Sequence, residues 1–170
     1  ARRLSRVRNL RRALAAVAAS LAASFAAPAA ELPRLLIEPH ELTVSGLSSG
    51  GYMASQFQLS HARLVHGIGV FGAGPGYCAR DSLVRAFLEC LARPDSAPEP
   101  AALVALARTA AAAGRIDPLE ALGAARVWVF HGARDATVAP AVGRALVDFY
   151  AALVPAAQLR YVDAVPAGHG

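Results

Sequence analysis

The sequence predicts an α/β fold with a mostly parallel sheet, and three observations lead to this prediction. First, short apolar or β-branched runs alternate with helix-forming segments along the whole chain. Second, the first of these runs leads into the motif Gly46-Leu-Ser48-Ser-Gly50, directly before a helix-compatible segment. Third, loops after two later runs carry Asp135 and His169. The predicted strands are at 42–45, 67–71, 126–130 and 159–163.

The predicted helices fill the intervals between these strands. An extended segment with two prolines, 30–41, comes before the first strand. Asp81 or Ser82 can cap the second helix, and Gly114 is a plausible stop for an alanine-rich third helix. Low complexity in that third helix is compatible with a surface position and little packing. The helices are expected at 51–65, 82–91, 101–113 and 141–154, with a short helix or turn at 117–124.

The first predicted helix has a mostly apolar face, which we expect to pack under the sheet. The residues of this face are Tyr52, Met53, Phe57, Leu59 and Leu64.

The segment around Ser48 has the strand, Gly-x-Ser-x-Gly and helix order of a nucleophile elbow. A serine on such a sharp turn needs small neighbours two residues before and after it, which Gly46 and Gly50 supply. Ser48 is therefore the candidate nucleophile, and the backbone N–H of Ser49 is a candidate oxyanion donor. The alternative is an ordinary glycine-rich turn in which Ser45, Ser48 and Ser49 have no chemical role.

The other members of a serine-hydrolase triad are present in the chain order of the α/β-hydrolases, which is Ser, then Asp, then His. Asp135 and His169 lie in loops after predicted strands, and such loops leave a parallel sheet at the same edge as the elbow. Asp135 alone can also be a turn or cap residue, and His169 a tail residue. Asp163 is the main rival acid, but it lies within a predicted strand. His131 is interpreted as a strand-end residue, because its place in the chain order is wrong for the base.

The charge of the chain is concentrated at its start. Six of the 17 basic residues lie in the first twelve positions, and the remainder carries slightly more acidic than basic residues, so no basic surface for nucleic acid is expected. An uncharged apolar run follows and ends near Ala27-Pro-Ala29. This pattern predicts a signal peptide at 1–29, and the run is too short for a typical membrane span. An N-terminal anchor helix is the alternative. We expect a catalytic domain at 30–170 and a secreted or periplasmic location.

The two cysteines, Cys78 and Cys90, can pair in an oxidising compartment or remain buried thiols. His40, His61 and His66 do not have the spacing of metal ligands. No phosphate-binding loop or dinucleotide fingerprint is present in the sequence, so neither a metal nor a cofactor is expected.

Taken together, four segments resemble the extracellular poly(3-hydroxybutyrate) depolymerases, especially the single-domain kind, over residues from about 36 to 170. They are Val44-Ser-Gly-Leu-Ser-Ser-Gly-Gly-Tyr-Met-Ala-Ser-Gln56, Gly69-Val-Phe-Gly-Ala-Gly-Pro-Gly-Tyr-Cys-Ala-Arg80, Phe130-His-Gly-Ala-Arg-Asp-Ala-Thr-Val-Ala-Pro140 and Val165-Pro-Ala-Gly-His-Gly170.

The resemblance implies a secreted serine esterase on a circularly permuted α/β-hydrolase fold, acting on a polyester or a small ester. It also implies that Ser48 is the nucleophile, Asp135 the acid and His169 the base, and that Cys78 and Cys90 form a disulfide. Family members continue beyond the histidine with further strands and a second oxyanion donor, so we expect this chain to be C-terminally incomplete.

Two alternatives remain at this point. One is an esterase for plant-wall or small soluble esters, and the other is an inactive remnant or polymer-binding module. The sequence does not address the oligomeric state.

Overall fold

The computed structural model describes residues 33, 35, 36, 38, 42–91 and 97–170 of the chain. Glu38–Gly170 forms one compact unit. The predicted signal peptide at 1–29 and its cleavage site near Ala29 lie outside the described residues. The division of the chain at residue 30 therefore stays a prediction.

Four parallel strands form one sheet in the order β1-β2-β3-β4. Each coincides with a predicted strand, although β1 extends two residues further, β2 begins two residues earlier, and β4 ends one residue earlier, so that Asp163 follows the strand. The sheet and its flanking helices confirm the α/β fold class, whereas the circular permutation stays a prediction. The strands are β1 (Leu42–Leu47), β2 (Val65–Phe71), β3 (Arg126–Phe130) and β4 (Leu159–Val162).

The carboxyl ends of the four strands are in register across the sheet. Leu47 pairs with Phe71, Phe71 with Phe130, and Phe130 with Val162. The segments that follow all four strands therefore start side by side at one edge, which is where open α/β sheets place their sites.

The helices occupy the predicted intervals with shifts of a few residues at their ends. Proline begins α3 and α4, where its missing N–H would have no intrahelical acceptor in any case. Short 3-10 helices at Leu119–Ala124 and Ala156–Gln158 precede β3 and β4. The α-helices are α1 (Ser49–Ser60), α2 (Leu83–Glu89), α3 (Pro100–Ala112) and α4 (Pro140–Ala151).

Helix α1 differs from its prediction in both its bounds and its buried face. It begins at Ser49, because the carbonyl of Ser48 already accepts hydrogen bonds from helical N–H groups, and it ends at Ser60. Met53 is 68% exposed and Phe57 38% exposed, so the predicted apolar face is only partly buried. Leu59 of the predicted face is fully buried, and the other buried residues of α1 are Gly51, Ala54, Ser55 and Gln58.

The polar Ser55 can be buried in α1 because its hydroxyl has partners. It accepts a hydrogen bond from the backbone N–H of Gly76 at 3.0 Å and lies 3.3 Å from the hydroxyl of Tyr150. Ser55 thus ties α1 both to α4 and to the loop that follows β2.

The alanine-rich helix α3 is part of the core, contrary to the little packing that its composition suggested. Leu103 and Ala107 are completely buried in the main hydrophobic cluster. Gly114 follows the helix with φ +66°, as expected for a residue that ends a helix. The small alanine side chains allow α3 to pack close to α4, so this helix can be buried without many bulky apolar residues.

Candidate active site

Ser48 occupies the sharp turn between β1 and α1. Its φ is 56° and its ψ −123°, a backbone conformation that side-chain-bearing residues rarely adopt. The turn is held because the N–H of Ser48 donates to the carbonyl of Phe71, at the end of the neighbouring strand, over 2.9 Å. The local geometry is thus that of a nucleophile elbow.

Only one of the two motif glycines is sterically required. A Cβ on Gly46 would lie 2.2 Å from the carbonyl carbon of Gly50, whereas a Cβ on Gly50 would meet no atom within 4 Å. A Cβ on Gly51 would lie 2.7 Å from the Cβ of Ala73. The expectation that Gly50 must be small to avoid a clash was therefore wrong, and the second required glycine is Gly51.

His169 lies in the segment after β4, which is paired to the loop after β3. The N–H of Ala133 donates to Val165 O at 2.9 Å, and the N–H of Arg134 to Ala167 O at 3.0 Å. A Cβ on Gly132 would lie 2.3 Å from Ala167 O, so this close pairing depends on glycine. The two loops that carry Asp135 and His169 are therefore one hydrogen-bonded unit.

Asp135 is buried, and three hydrogen bonds hold its carboxylate. Oδ1 accepts from the backbone N–H groups of Thr137 and Val138, both at 2.9 Å, and Oδ2 faces Nδ1 of His169. Burial by itself would raise the pKa of Asp135, but the hydrogen bonds from His169, Val138 and Thr137 outweigh it. The pKa of Asp135 therefore lies below its ordinary value of 3.8, and the carboxylate is ionised at neutral pH.

The three predicted triad residues come together in a continuous line of hydrogen bonds. Ser48 Oγ lies 2.8 Å from His169 Nε2, and His169 Nδ1 lies 2.8 Å from Asp135 Oδ2. Since a carboxylate only accepts, Nδ1 carries the proton, and Nε2 is free to accept from the Ser48 hydroxyl. This arrangement can transfer a proton from Ser48 to His169 while Asp135 stays ionised.

Ser49 is the first residue of α1 and is exposed. The first N–H groups of a helix have no intrahelical acceptor, so the Ser49 N–H is free of the helix ladder. The N–H of Ser48 is not free, because it is bonded to Phe71 O. Ser49 therefore remains the candidate oxyanion donor beside the serine.

The other candidate residues have different surroundings. Asp163 forms an ion pair with Arg144 at 2.6 Å, and neither side chain is buried. Arg134 is exposed. His131 does follow the last residue of β3, as predicted, but it is fully buried and lies beside Asp135. Sequence reasoning missed this contact, although the spacing of four residues within one loop is a signal for it.

Gly72 was also missed as a part of the site. Its φ is +53°, and a Cβ there would lie 3.2 Å from Asp135 Oδ2 and 3.3 Å from His169 Nδ1. The loop after β2 therefore packs its backbone directly against the His169–Asp135 pair. Only the three-dimensional arrangement shows this, because Gly72 is one of several glycines in that segment.

Cys78 and Cys90 form a disulfide that closes the loop carrying α2. The hydroxyl of Tyr52 on α1 donates to the carbonyl of Cys90. Beneath this loop lies a cavity of about 590 Å³, whose lining includes Ser49, Tyr52, Met53 and Phe87. The disulfide thus closes the loop on itself, and the bond from Tyr52 ties the loop to α1.

A smaller cavity of about 240 Å³ lies on the other side, next to His169. Its lining is mainly apolar and includes Leu47, Phe71 and Phe130, the last residues of three strands.

Among the residues that the structure describes, no group of three His, Cys, Asp or Glu side chains is placed to hold a metal ion. No helix within 42–91 or 97–170 is long and apolar enough to cross a bilayer.

Comparison with known proteins reveals two relatives by sequence. The chain is 41% identical over 142 residues to a poly(3-hydroxybutyrate) depolymerase of Delftia acidovorans, covering 83% of this chain and 28% of the relative. It is 32% identical over 143 residues to a polyhydroxybutyrate depolymerase of Talaromyces funiculosus, covering 83% of this chain and 40% of the relative. This chain thus spans less than half of the length of these relatives. No protein-family model matches the sequence.

Solved structures give the same result for the fold. The chain superimposes with a TM-score of 0.72 on a PHB depolymerase of Penicillium funiculosum, at 29% identity, covering 82% of this chain and 42% of that one. A PHB depolymerase complexed with an R3HB trimer matches with the same TM-score at 28% identity, again over 82% of this chain and 42% of the other. The resemblance to the polyhydroxybutyrate depolymerases, and the α/β-hydrolase type of the fold, are therefore confirmed.

Proposed function

We propose that this chain carries the nucleophile, base and acid of an exported serine esterase that hydrolyses polyesters of the poly(3-hydroxybutyrate) type. The observation that carries the proposal is the line of hydrogen bonds from Ser48 Oγ through His169 to Asp135, with both heavy-atom distances at 2.8 Å. In this proposal Ser48 is the nucleophile, His169 the general base and Asp135 the acid that orients it.

In the first step, Ser48 Oγ attacks the ester carbonyl while its proton passes to His169 Nε2. The negative charge that develops on the carbonyl oxygen is stabilised by the N–H of Ser49 and by the positive end of α1. Asp135 stays ionised and stabilises the imidazolium through Nδ1–H, which is consistent with its lowered pKa.

In the second step, the carbon–oxygen bond to the alcohol breaks, and the imidazolium gives its proton to the leaving alkoxide. The acyl group is left on Ser48. His169, now neutral again, removes a proton from a water molecule that attacks the acyl-enzyme. The carboxylic acid leaves, and Ser48 regains its proton from His169.

The substrate class is supported by the relatives and by the shape of the site. Both curated relatives carry names that specify polyhydroxybutyrate. The mainly apolar cavity beside His169 has a volume of about 240 Å³, which is compatible with a short aliphatic hydroxyacyl unit. Small soluble esters with the same acyl group would be accepted by the same chemistry.

Export is supported by two features of the chain. The first 29 residues have a basic start followed by an uncharged apolar run. The Cys78–Cys90 disulfide is typical of proteins in oxidising compartments. A secreted or periplasmic location is therefore part of the proposal.

The test compares Ser48→Ala with Ser45→Ala, a matched change at an exposed serine of β1. Labelling by a fluorophosphonate, hydrolysis of p-nitrophenyl butyrate and clearing of a poly(3-hydroxybutyrate) film are measured for each variant. We expect Ser48→Ala to lose the labelling, the ester hydrolysis and the film clearing, and Ser45→Ala to keep all three.

Three results would change the assignment. If Ser48→Ala retains the label and the hydrolytic rates, Ser48 is not the nucleophile. If the wild-type chain hydrolyses the soluble ester but never the film, the substrate class is narrowed to small esters. A wild-type chain that is not labelled at all contradicts the proposed catalytic role.

A further inference from the structure

We propose that His131 is a positioning residue for Asp135. The neutral imidazole of His131, protonated at Nε2, fixes the loop that carries the acid. The inference rests on the proposed function of Asp135 and adds a second histidine to that site. It is carried by the position of His131, by the partners of its two ring nitrogens and by the packing of α4 against the ring.

His131 lies directly after β3, and its side chain is completely buried. Its Nε2 is 2.9 Å from the carbonyl oxygen of Val138 and 3.5 Å from Oδ2 of Asp135. The first distance is that of a normal hydrogen bond, whereas the second is a longer electrostatic contact. Asp135 Oδ2 therefore faces two imidazole rings, His169 at 2.8 Å and His131 behind it.

The partners define the tautomer of His131. A carbonyl oxygen only accepts, so Nε2 must carry a hydrogen. Nδ1 is buried and has no hydrogen-bond partner among the described residues. A second proton on Nδ1 would create a buried N–H without an acceptor and a buried positive charge, and both are costly. The ring is therefore neutral with its proton on Nε2.

Helix α4 closes the Nδ1 side of the ring. A Cβ on Gly143 would lie 2.3 Å from Nδ1, so the helix backbone packs directly against the imidazole. The ring is thus held between the loop of the acid and α4. This close packing makes its orientation definite rather than one of several rotamers.

His131 and Asp135 hold the same peptide segment from two sides. The N–H of Val138 donates to Asp135 Oδ1 at 2.9 Å, and the carbonyl of Val138 accepts from His131 Nε2 at 2.9 Å. A shift of Val138 would therefore turn the carboxylate of Asp135 and move Oδ2 away from His169. Misplacement of a catalytic group by about 1 Å can reduce the rate by about 100-fold.

A buried histidine can also be a simple packing residue, and two substitutions separate these roles. In His131→Gln the amide nitrogen lies at about the position of Nε2 and can still donate to Val138. In His131→Asn the amide reaches only as far as Nδ1, so the donor to Val138 is lost. Both replacements are polar amides, so they differ chiefly in where the donor lies. His66→Asn, at a partly exposed position of β2, is the control for a histidine change elsewhere in the sheet.

The experiment measures kcat and KM for p-nitrophenyl butyrate and the rate of Ser48 modification by a fluorophosphonate. We expect His131→Asn to lower kcat and the modification rate by about 10-fold or more with little change in KM, because the acid is misplaced while the acyl site is intact. His131→Gln should remain within about threefold of the wild type, and His66→Asn should be unchanged. Equal losses in the two His131 variants, or no loss in either, would overturn the proposal.

A second measurement does not depend on activity. Nitrogen-15 NMR of the imidazole rings in the wild-type chain should show His131 as the neutral Nε2–H tautomer at pH 7. A charged ring, or a proton on Nδ1, would overturn the proposal even in a fully active protein. If the wild type is never labelled by the fluorophosphonate, the proposed esterase function fails, and the NMR result still decides the state of His131.

Discussion

Gly132 and Ala167 lie so close together that a Cβ on Gly132 would be 2.3 Å from the carbonyl oxygen of Ala167. The contact joins the loop after β3 to the segment after β4 and thereby joins the two loops that carry Asp135 and His169. The distance of 2.8 Å between these two side chains depends on how closely their backbones can approach.

This contact predicts that Gly132→Ala separates His169 from Asp135. If the proposed function holds, we expect a loss of esterase activity of about 10-fold or more, because His169 is displaced from both Ser48 and Asp135. Gly123→Ala is the control, since a Cβ there would meet no atom within 4 Å and the residue lies in the 3-10 helix before β3. Fluorophosphonate labelling of the two variants measures the difference, and equal rates would contradict the predicted role of the contact.

The elbow predicts a similar contrast between its own glycines. Gly46→Ala places a Cβ 2.2 Å from the backbone of Gly50, and we expect it to lower the free energy of unfolding by about 2–3 kcal/mol. Gly50→Ala has space for the new methyl group and should change stability by less than about 1 kcal/mol. Urea unfolding of both variants is the measurement, and similar destabilisation by the two changes would count against this description of the turn.

The lowered pKa of Asp135 predicts how the stability of the fold depends on pH. A carboxyl group whose pKa is lower in the folded state stabilises the protein above its unfolded pKa, and this contribution is lost as the pH falls through the folded value. The ordinary value is 3.8, so the stabilisation should be complete at pH 5 and above and should fall away below about pH 4.

Asp135→Asn tests this dependence through the free energy of unfolding between pH 7 and pH 2.5. The difference between wild type and variant should be largest near neutral pH and should shrink in acid. Asp163→Asn, which breaks the exposed pair with Arg144, serves as a control and should cost less than about 1 kcal/mol at pH 7. A gap for Asp135→Asn that does not change with pH would refute the assignment of the effect to ionisation.

The disulfide predicts a redox-dependent stability. Replacing both Cys78 and Cys90 by alanine should lower the free energy of unfolding by about 2–3 kcal/mol, as expected for closing a loop of this length. Dithiothreitol should destabilise the wild type by a similar amount and leave the double variant unchanged. Wild-type protein whose unfolding is insensitive to reduction would show that the disulfide contributes little.

The sequence by itself determined the strands, their parallel arrangement and the chain order of Ser48, Asp135 and His169. These features are readable because alternation of strands and helices, a strand–turn–helix motif and strand-end loops are local patterns. The strand Arg126–Phe130 was predicted with its observed bounds, because its run of β-branched and aromatic residues favours a strand. The N-terminal segment and the proposed chemistry still depend on the experiments above.

Only the tertiary structure decided which residues are buried and which side chains meet. Met53 and Phe57 fit an apolar face in the sequence, yet the polar Ser55 is the residue that is buried, because its hydrogen-bond partners, Gly76 and Tyr150, come from distant elements. Only the structure shows that glycine is required at Gly51 rather than at Gly50. A Cβ on Gly51 would meet the Cβ of Ala73, which lies in a distant part of the chain. The contact between His131 and Asp135 was likewise seen only in the structure, which also packs Gly143 of α4 against the His131 ring. Such contacts between distant segments form only when the four strands pair in register, and no local sequence pattern shows how close these segments will lie.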